Sequence, residues 1–521
     1  MENPAISGLI EKLKVPKNAR VAPSLEDALI NVNKITERAG TLYEKLRYLV
    51  DYKEDPHIRR SAIERIIKRK ILLERADGIG LSLVQELISG GYLPNNSIAD
   101  SVIREIEAIV HKYKLLEHFF PLSFKQEPST RKILVSLLST EIENFFYPNE
   151  EDNYVADAFY LTMFDYVRVN SGISDEANKV QILVACYRAL LNTDDETLLY
   201  KLWLKSNPLW LNPLNEAEIE VIAKKSPMII SGIREALIIP LSFRIIPKLS
   251  NYAIYFGLIH EIVRAYGAES DRIFRDEILR SQFVENFLKT NYKRQYDRAR
   301  GAAMRAIVYI FLTKVLLALS LEVTYQIFIL NTAEYIPIAT NIIFHPLLLL
   351  FMTFSVRPIG KKNTDLIIEG VQKIITGEGI RMIQVSTKNT GFFNTAFYTL
   401  YFMMFLIIFG GIVAVLQKVN FSSVSILLFI CFIALVSYFA LRIRHSANKW
   451  KVRGDDRTAS MVFNLFTLPI IRAGKWLSRK FSSINLFAFV LDFIIETPFK
   501  LLLHFSDSFM FFLREKQDDV Y

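Results

Sequence analysis

The chain has 521 residues, 51% of them hydrophobic, with 63 Lys or Arg against 54 Asp or Glu, a net charge of +9 and a mean hydropathy of +0.22. A positive mean hydropathy together with 38 Phe excludes a disordered or collagen-like chain. Two cysteines, Cys186 and Cys431, exclude a disulfide framework and a four-cysteine zinc site and point to a reducing compartment.

The opening MENPAISGLIEKLK has neither a basic start nor an apolar core with a small-residue cleavage site, so no secretory signal is expected. Residues 1–300 hold 41 basic and 41 acidic side chains, whereas 301–521 hold 22 and 13. The balanced first part argues against nucleic acid as a partner, because such binding draws most of its nonspecific strength from cations replacing phosphate counterions. Helical spacing dominates this part: in DPHIRRSAIERIIKRKILLERA, Ile63, Ile66, Ile67 and Ile71 recur on one face, with Arg59, Arg60, Arg65, Lys68 and Arg69 largely elsewhere. Thr41 with Glu44 and Thr193 with Glu196 read as capping boxes. Pro121, Pro128, Pro148, Pro208, Pro213, Pro227, Pro240 and Pro247 are expected to cut the pattern into short helices. The loop-like stretches 119–132 and 147–153 give a first helical region over 1–130 and a second over 131–305. Residues 269–305 read as one amphipathic helix leading into the membrane, and IRMIQVST (380–387) as a small strand.

A helix needs about 20 mostly apolar residues to cross the hydrocarbon of a bilayer. There are 22 uncharged residues between Glu334 and Arg357, 29 between Lys388 and Lys418, and 23 between Lys418 and Arg442. These give spans over 335–356, 393–416 and 421–441. A further span over 306–330 contains Lys314 and Glu322. Its 15 Leu, Ile, Val or Phe residues contribute roughly −7 kcal/mol on an insertion scale, against roughly +5 to +7 for the two charges. It is therefore expected to insert as a hairpin with the next span, giving a four-helix membrane region over 306–443 made of two hairpins.

Basic residues set the orientation. Lys293, Arg294, Arg298, Arg300 and Arg305 precede the first span; Arg357, Lys361, Lys362, Lys373, Arg381 and Lys388 lie between the second and third; Arg442, Arg444, Lys449, Lys451, Arg453 and Arg457 follow the fourth. The connections at 331–334 and 417–420 contribute only Lys418. The positive-inside rule then places the first 300 residues and both termini in the cytoplasm, which leaves almost nothing outside for a receptor or surface enzyme.

Residues 444–521 are basic and amphipathic. Asp492, Glu496, Lys500, His504 and Asp507 fall on a narrow stripe of a broadly apolar helix, as in a helix lying in the inner interface. Arg472, Lys475, Arg479 and Lys480 are candidate contacts for anionic lipid. ATNIIFHPLLLL (339–350) and LDFIIETPFKLLL (491–503) loosely resemble segments of uncharacterised polytopic bacterial membrane proteins with large helical cytoplasmic regions. That resemblance implies a bacterial cytoplasmic membrane and brings no activity.

Lys314, Glu322 and His345 are the candidate intramembrane polar site. If 331–334 turns tightly, His345 lies within a helical turn of the depth of Glu322, and the two can pair. Ionisable groups at that depth are costly and mark a site unless they only fix helix pairing, with Lys314 reaching back to the headgroups. Pro346 either frees carbonyls or kinks the helix, and Gly410–Gly411 permits close helix contact. Catalytic motifs are missing: HEIVR at 260–264 has Arg264 where the zinc motif needs a second histidine, and TGEGIR has no P-loop lysine. The acidic runs Glu150–Asp152, Asp194–Glu196 and Asp455–Asp456 read as loops or helix starts, and the basic run 59–70 as a solvated face. No cofactor or metal is expected.

The sequence thus points to an all-α protein: a helical cytoplasmic domain, four transmembrane helices and amphipathic C-terminal helices. The leading functional expectation is a noncatalytic scaffold or adaptor that contacts the anionic inner leaflet and a protein partner or a second copy. One alternative is an oligomeric transporter or channel using Lys314, Glu322 and His345. Another is a lipid-handling enzyme using Asp492, Glu496 or His504.

Overall fold

Helix takes up 83% and strand 2% of the residues described in this computed structural model, which are 3–14, 29–32, 58–72, 78–170, 174–239, 241–331, 335–354, 359–386, 391–452 and 467–478. In chain order the helices begin with α1 (Pro4–Leu13), α2 (Ile58–Leu72), α3 (Ile79–Ser89), α4 (Ser101–Phe119), α5 (Leu122–Lys125), α6 (Thr130–Phe146) and α7 (Glu150–Phe164). Strand β1 (Val167–Asn170) precedes α8 (Asp175–Leu191), α9 (Asp195–Ser206), α10 (Glu216–Ile238), α11 (Leu241–Tyr266), α12 (Ser270–Arg275) and α13 (Glu277–Leu317). Then come α14 (Tyr335–Phe354), α15 (Lys361–Thr376), β2 (Ile383–Ser386), α16 (Gly391–Lys418), α17 (Ser423–Ala447) and α18 over 467–478.

The described residues form two compact units, one drawn from 11–160 and 174–245, the other from 3–10, 161–170 and 246–478. This differs from a division near residue 130. Ile63 of α2, Ile106 of α4, Leu137 of α6, Val184 of α8, Trp203 of α9 and Ile230 of α10 share one hydrophobic core, and the proline-rich 119–132 stretch only turns the chain through α5 within it.

Polar groups buried in that unit are paired. Glu141 accepts hydrogen bonds from Tyr113 Oη at 2.7 Å, Trp210 Nε1 at 2.7 Å and Lys112 Nζ at 2.8 Å. Arg60, expected on a solvated face, is buried and pairs with Asp194, with Glu64 and Glu196 each at 3.6 Å. The basic face of α2 is thus partly an internal ion-pair network. Asp194 also caps α9 through Thr197 N, while Thr193 donates to the Tyr187 carbonyl, so the expected Thr193 capping box is displaced by one residue. Asn215 and Glu218 make a capping box that the sequence reading missed. Thr41 and Glu44 lie outside the described residues. Pro227 and Pro247 sit inside continuous helices, α10 and α11, instead of ending them. An interior proline costs about 3 kcal/mol, and around Pro227 the buried face of Ile219, Ala223, Ile230, Ile233 and Leu237 offsets it.

In the second unit β1 and β2 pair in parallel, Val167 opposite Ile383 and Asn170 opposite Ser386. The strand expected at 380–387 is real over 383–386, and its partner VRVN was too short to register as a pattern. Asn363 of α15 donates to Tyr292 Oη of α13 at 2.8 Å and to the Trp450 carbonyl at 2.9 Å. A methyl group at Gly370 would overlap the Tyr255 ring, so α15 lies hard against α11. The expected helix over 269–305 breaks at Asp276, whose side chain caps α13 through the N–H groups of Ile278 and Leu279. From there α13 runs unbroken for 41 residues.

Among the described residues, three helical stretches are long and apolar enough to cross a membrane: Tyr335–Thr353, Thr395–Lys418 and Ser423–His445. Helices α16 and α17 form a hairpin whose turn has Asn420 at φ 60° and Phe421 N bonded back to the Leu416 carbonyl. A methyl group at Gly410 or Gly411 would meet nothing within 4 Å, so no close helix contact is made there among the described residues. It is made by Gly474 of α18, where a methyl group would overlap the Ala434 carbonyl of α17.

Glu143 gives a pH test of the first unit. Burial pushes its carboxyl from 4.5 up to about 7, against the pull of Arg59 and Arg60. Between those values the folded protein holds a proton that the unfolded chain has lost, so stability falls as pH rises from 4.5 to about 7. The loss amounts to about 3 kcal/mol at full extent. Thermal melts across that range should show Glu143→Gln shedding this part of the slope; an unchanged slope would place the titration elsewhere.

Candidate intramembrane polar site

Lys314 lies in the last turn of α13, and beyond that helix the chain widens into two π-helical stretches, Ala318–Val323 and Gln326–Leu330. Ala318, Glu322 and Gln326 are buried with Lys314, while Leu319, Leu321, Ile327 and Phe328 are exposed. A four-residue repeat over-runs a 3.6-residue turn by about 40° per step, so an α-helix would carry Gln326 off the face of Lys314. The wider π turns keep the polar row aligned.

On α14, Asn341 and His345 are one turn apart and both fully buried. Lys314 Nζ donates to Asn341 Oδ1 at 2.6 Å, and Asn341 Nδ2 donates to Glu322 Oε1. One amide therefore stands between ammonium and carboxylate, accepting from the first and donating to the second. Asn341 Nδ2 also lies 3.5 Å from the Ser425 carbonyl of α17. The ammonium rests over the Phe432 ring, 4.0 Å from its centroid. His345 places Nδ1 3.0 Å from the Asn341 carbonyl and Nε2 3.1 Å from the Phe429 carbonyl. A neutral ring has one N–H and donates to one of these acceptors. Glu322 Oε2 is buried without a hydrogen-bond partner among the described residues.

The structure thus brings Lys314, Glu322 and His345 into one cluster and alters how they connect. Glu322 and His345 meet through Asn341 and not directly, and Lys314 turns into the bundle instead of reaching back to the headgroups. Asn341 and Ser425 were missed because only ionisable residues were weighed. A lone Asn in the 22-residue apolar run before Arg357 was the available signal. Pro346 has no N–H for the Ile342 carbonyl, yet α14 continues through it.

Arg472 of α18 lies over the Tyr401 ring of α16 at 5.2 Å, with Lys475 and Trp476 exposed beside it. Tyr401 and Tyr438 lie in the parts of α16 and α17 next to the basic flanks. Arg479, Lys480, Asp492, Glu496 and His504 lie outside the described residues. No group of three or more potential metal ligands occurs among the described residues. Comparison with protein-family models, with curated proteins and with solved structures returned no match.

Replacing Asn341 by Leu strands an ammonium and a carboxylate together. Leaving a buried charge unpaired costs about 3–5 kcal/mol. Asn341→Leu should therefore melt well below the parent in detergent, and adding Lys314→Met with Glu322→Leu should recover more than half of the loss. Equal melting of Asn341→Leu and parent would show that the network contributes nothing.

Proposed function

We propose that this protein is a four-span membrane scaffold whose helical cytoplasmic part recruits protein partners or a second copy at the inner leaflet. The observation that carries the reading is α13, one continuous helix from Glu277 to Leu317, about 60 Å long. It passes from a stretch bearing Lys289, Lys293, Arg294 and Arg298 into the apolar stretch that exposes Val308, Phe311, Leu312 and Leu319. A charged support that becomes a membrane helix without a joint suits an anchor that holds its load rigidly. The first span in this reading is 306–330, whose Lys314 and Glu322 are both hydrogen-bonded by Asn341 from the next span. The basic flanks place both termini in the cytoplasm, and Arg472 and Lys475 face anionic lipid. The charge balance of the first 300 residues favours protein over nucleic acid as the load.

Two measurements test this. Cross-linking in native membranes followed by purification should return a stable protein partner or a dimer; recovery of the chain alone would remove the scaffold reading. Single cysteines should be labelled from outside at Asn420 and from the cytoplasmic side at Asn448. The reverse pattern would overturn the orientation.

A second reading, an oligomeric ion or solute pathway through Lys314, Glu322 and His345, is favoured by the buried Glu322 Oε2, which makes no hydrogen bond among the described residues. In proteoliposomes this reading requires a flux that Glu322→Gln with His345→Ala abolishes. Flux absent from the parent, or untouched in the double variant, eliminates it.

A further inference from the structure

Helix α13 presents a strip of cations to solvent just before its apolar stretch. Lys289, Lys293, Arg294 and Arg298 are all exposed and line one open recess along the helix. The other side of the same stretch is packed: Val284 and Leu288 are buried, Phe287 meets Trp450 edge to face at 5.5 Å, and Tyr292 Oη accepts from Asn363. Packing thus holds the helix with its cations turned outward. Four exposed cations on other helices pair with an acid one turn away, in Lys68–Glu64, Lys224–Glu220, Arg275–Asp271 and Lys373–Glu369. On α13 that pattern is reversed. Lys289 with Lys293, and Arg294 with Arg298, are like charges at i and i+4, a spacing that destabilises a helix. Glu285 and Asp297 lie on the same face, yet no ion pair joins either to the four cations among the described residues.

We propose that this strip docks an acidic helical segment of a protein partner, with carboxylates recurring one turn apart. The proposal deepens the scaffold reading, on which it rests, by naming the docking surface and the partner's chemistry. A row of carboxylates answers both like-charge pairs at once over a strip about 14 Å long. Lipid is the competing anion, and distance disfavours it. On the four-span reading the hydrocarbon starts near Ala306, and the headgroups extend about 6 Å beyond it. Arg298, Arg294, Lys293 and Lys289 stand about 12, 18, 20 and 26 Å before Ala306 along the helix. All but Arg298 are therefore more than a Debye length, about 8 Å, above the headgroups, where the charge of a membrane is screened. Nucleic acid fits less well too. Tyr292 and Tyr296, the aromatic residues within the strip, are half-buried, so bases find no exposed ring to stack on.

The test uses the full chain in nanodiscs and a fluorescein-labelled helical peptide with glutamate at every fourth position, followed by anisotropy. The parent should bind the peptide, and more weakly as salt rises. Lys289→Gln, Lys293→Gln, Arg294→Gln and Arg298→Gln together should weaken binding about tenfold, the sum of four exposed charge contacts. The same loss of charge at other exposed positions, Lys361→Gln, Lys362→Gln, Arg442→Gln and Lys451→Gln together, should leave binding as in the parent. Changing the four strip residues to Glu should transfer the preference to the lysine counterpart of the peptide. No binding by the parent, or equal weakening in both Gln variants, overturns the inference. So does binding present in phosphatidylcholine discs and lost in phosphatidylglycerol discs, which assigns the strip to lipid. Tighter binding of a single-stranded DNA of equal charge overturns it in favour of nucleic acid. A parent that ignores the peptide yet returns a partner on cross-linking loses this surface and keeps the scaffold reading. A parent that returns no partner loses that reading, whatever the peptide does.

Discussion

A bilayer does not host an unpaired charge, and the membrane half of this chain is arranged around that constraint. Lys314 and Glu322 together cost roughly as much as the apolar residues of 306–330 recover. Whether the helix inserts therefore turns on whether the two charges find partners. They find one partner between them, Asn341, and it belongs to the next span. The 306–330 stretch consequently depends on α14 for the pairing of its two ionisable groups. The π-helical turns follow from the same demand, since without them Lys314, Glu322 and Gln326 would not share the inward face.

The first unit obeys the rule in water. Glu141 is covered by an indole, a phenol and an ammonium, each within 2.8 Å, so its lone pairs are answered on all sides. The nearest cation to Glu143, Arg59, stands 3.8 Å away, and here burial wins and holds the proton on. Buried charge contributes to a fold only where hydrogen bonds complete it.

Periodicity and charge-free length made the all-α class, three apolar spans and the strand at 383–386 legible before any coordinates were known. The buried role of Arg60 was hidden because helical spacing shows which residues share a face but not that Asp194, 134 residues away, waits beside one of them. Pro227 and Pro247 misled for the same reason, since local cost is readable and the packing that offsets it is not. At the polar site, depth arithmetic brought His345 near Glu322. It overlooked Asn341 because an uncharged amide carries a small insertion penalty, and so little weight, in a count based on charge. The division near residue 130 failed because a proline-rich loop looks the same whether it leaves a domain or turns within one.

Small residues show most clearly why geometry outruns composition. Gly410–Gly411 has the look of a helix-crossing motif, and none of the described residues comes near it; Gly474, alone in a short basic helix, lets α18 press on the backbone of α17 at Ala434. Ala299 and Ala303 act in a third way, packing with Leu349, Val436, Ala440 and Ala447 in one buried cluster. The difference lies in what stands opposite. At Gly474 another backbone fills the room that a side chain would take, and at Ala303 the side chains of a buried cluster that includes Val436 and Ala440 do.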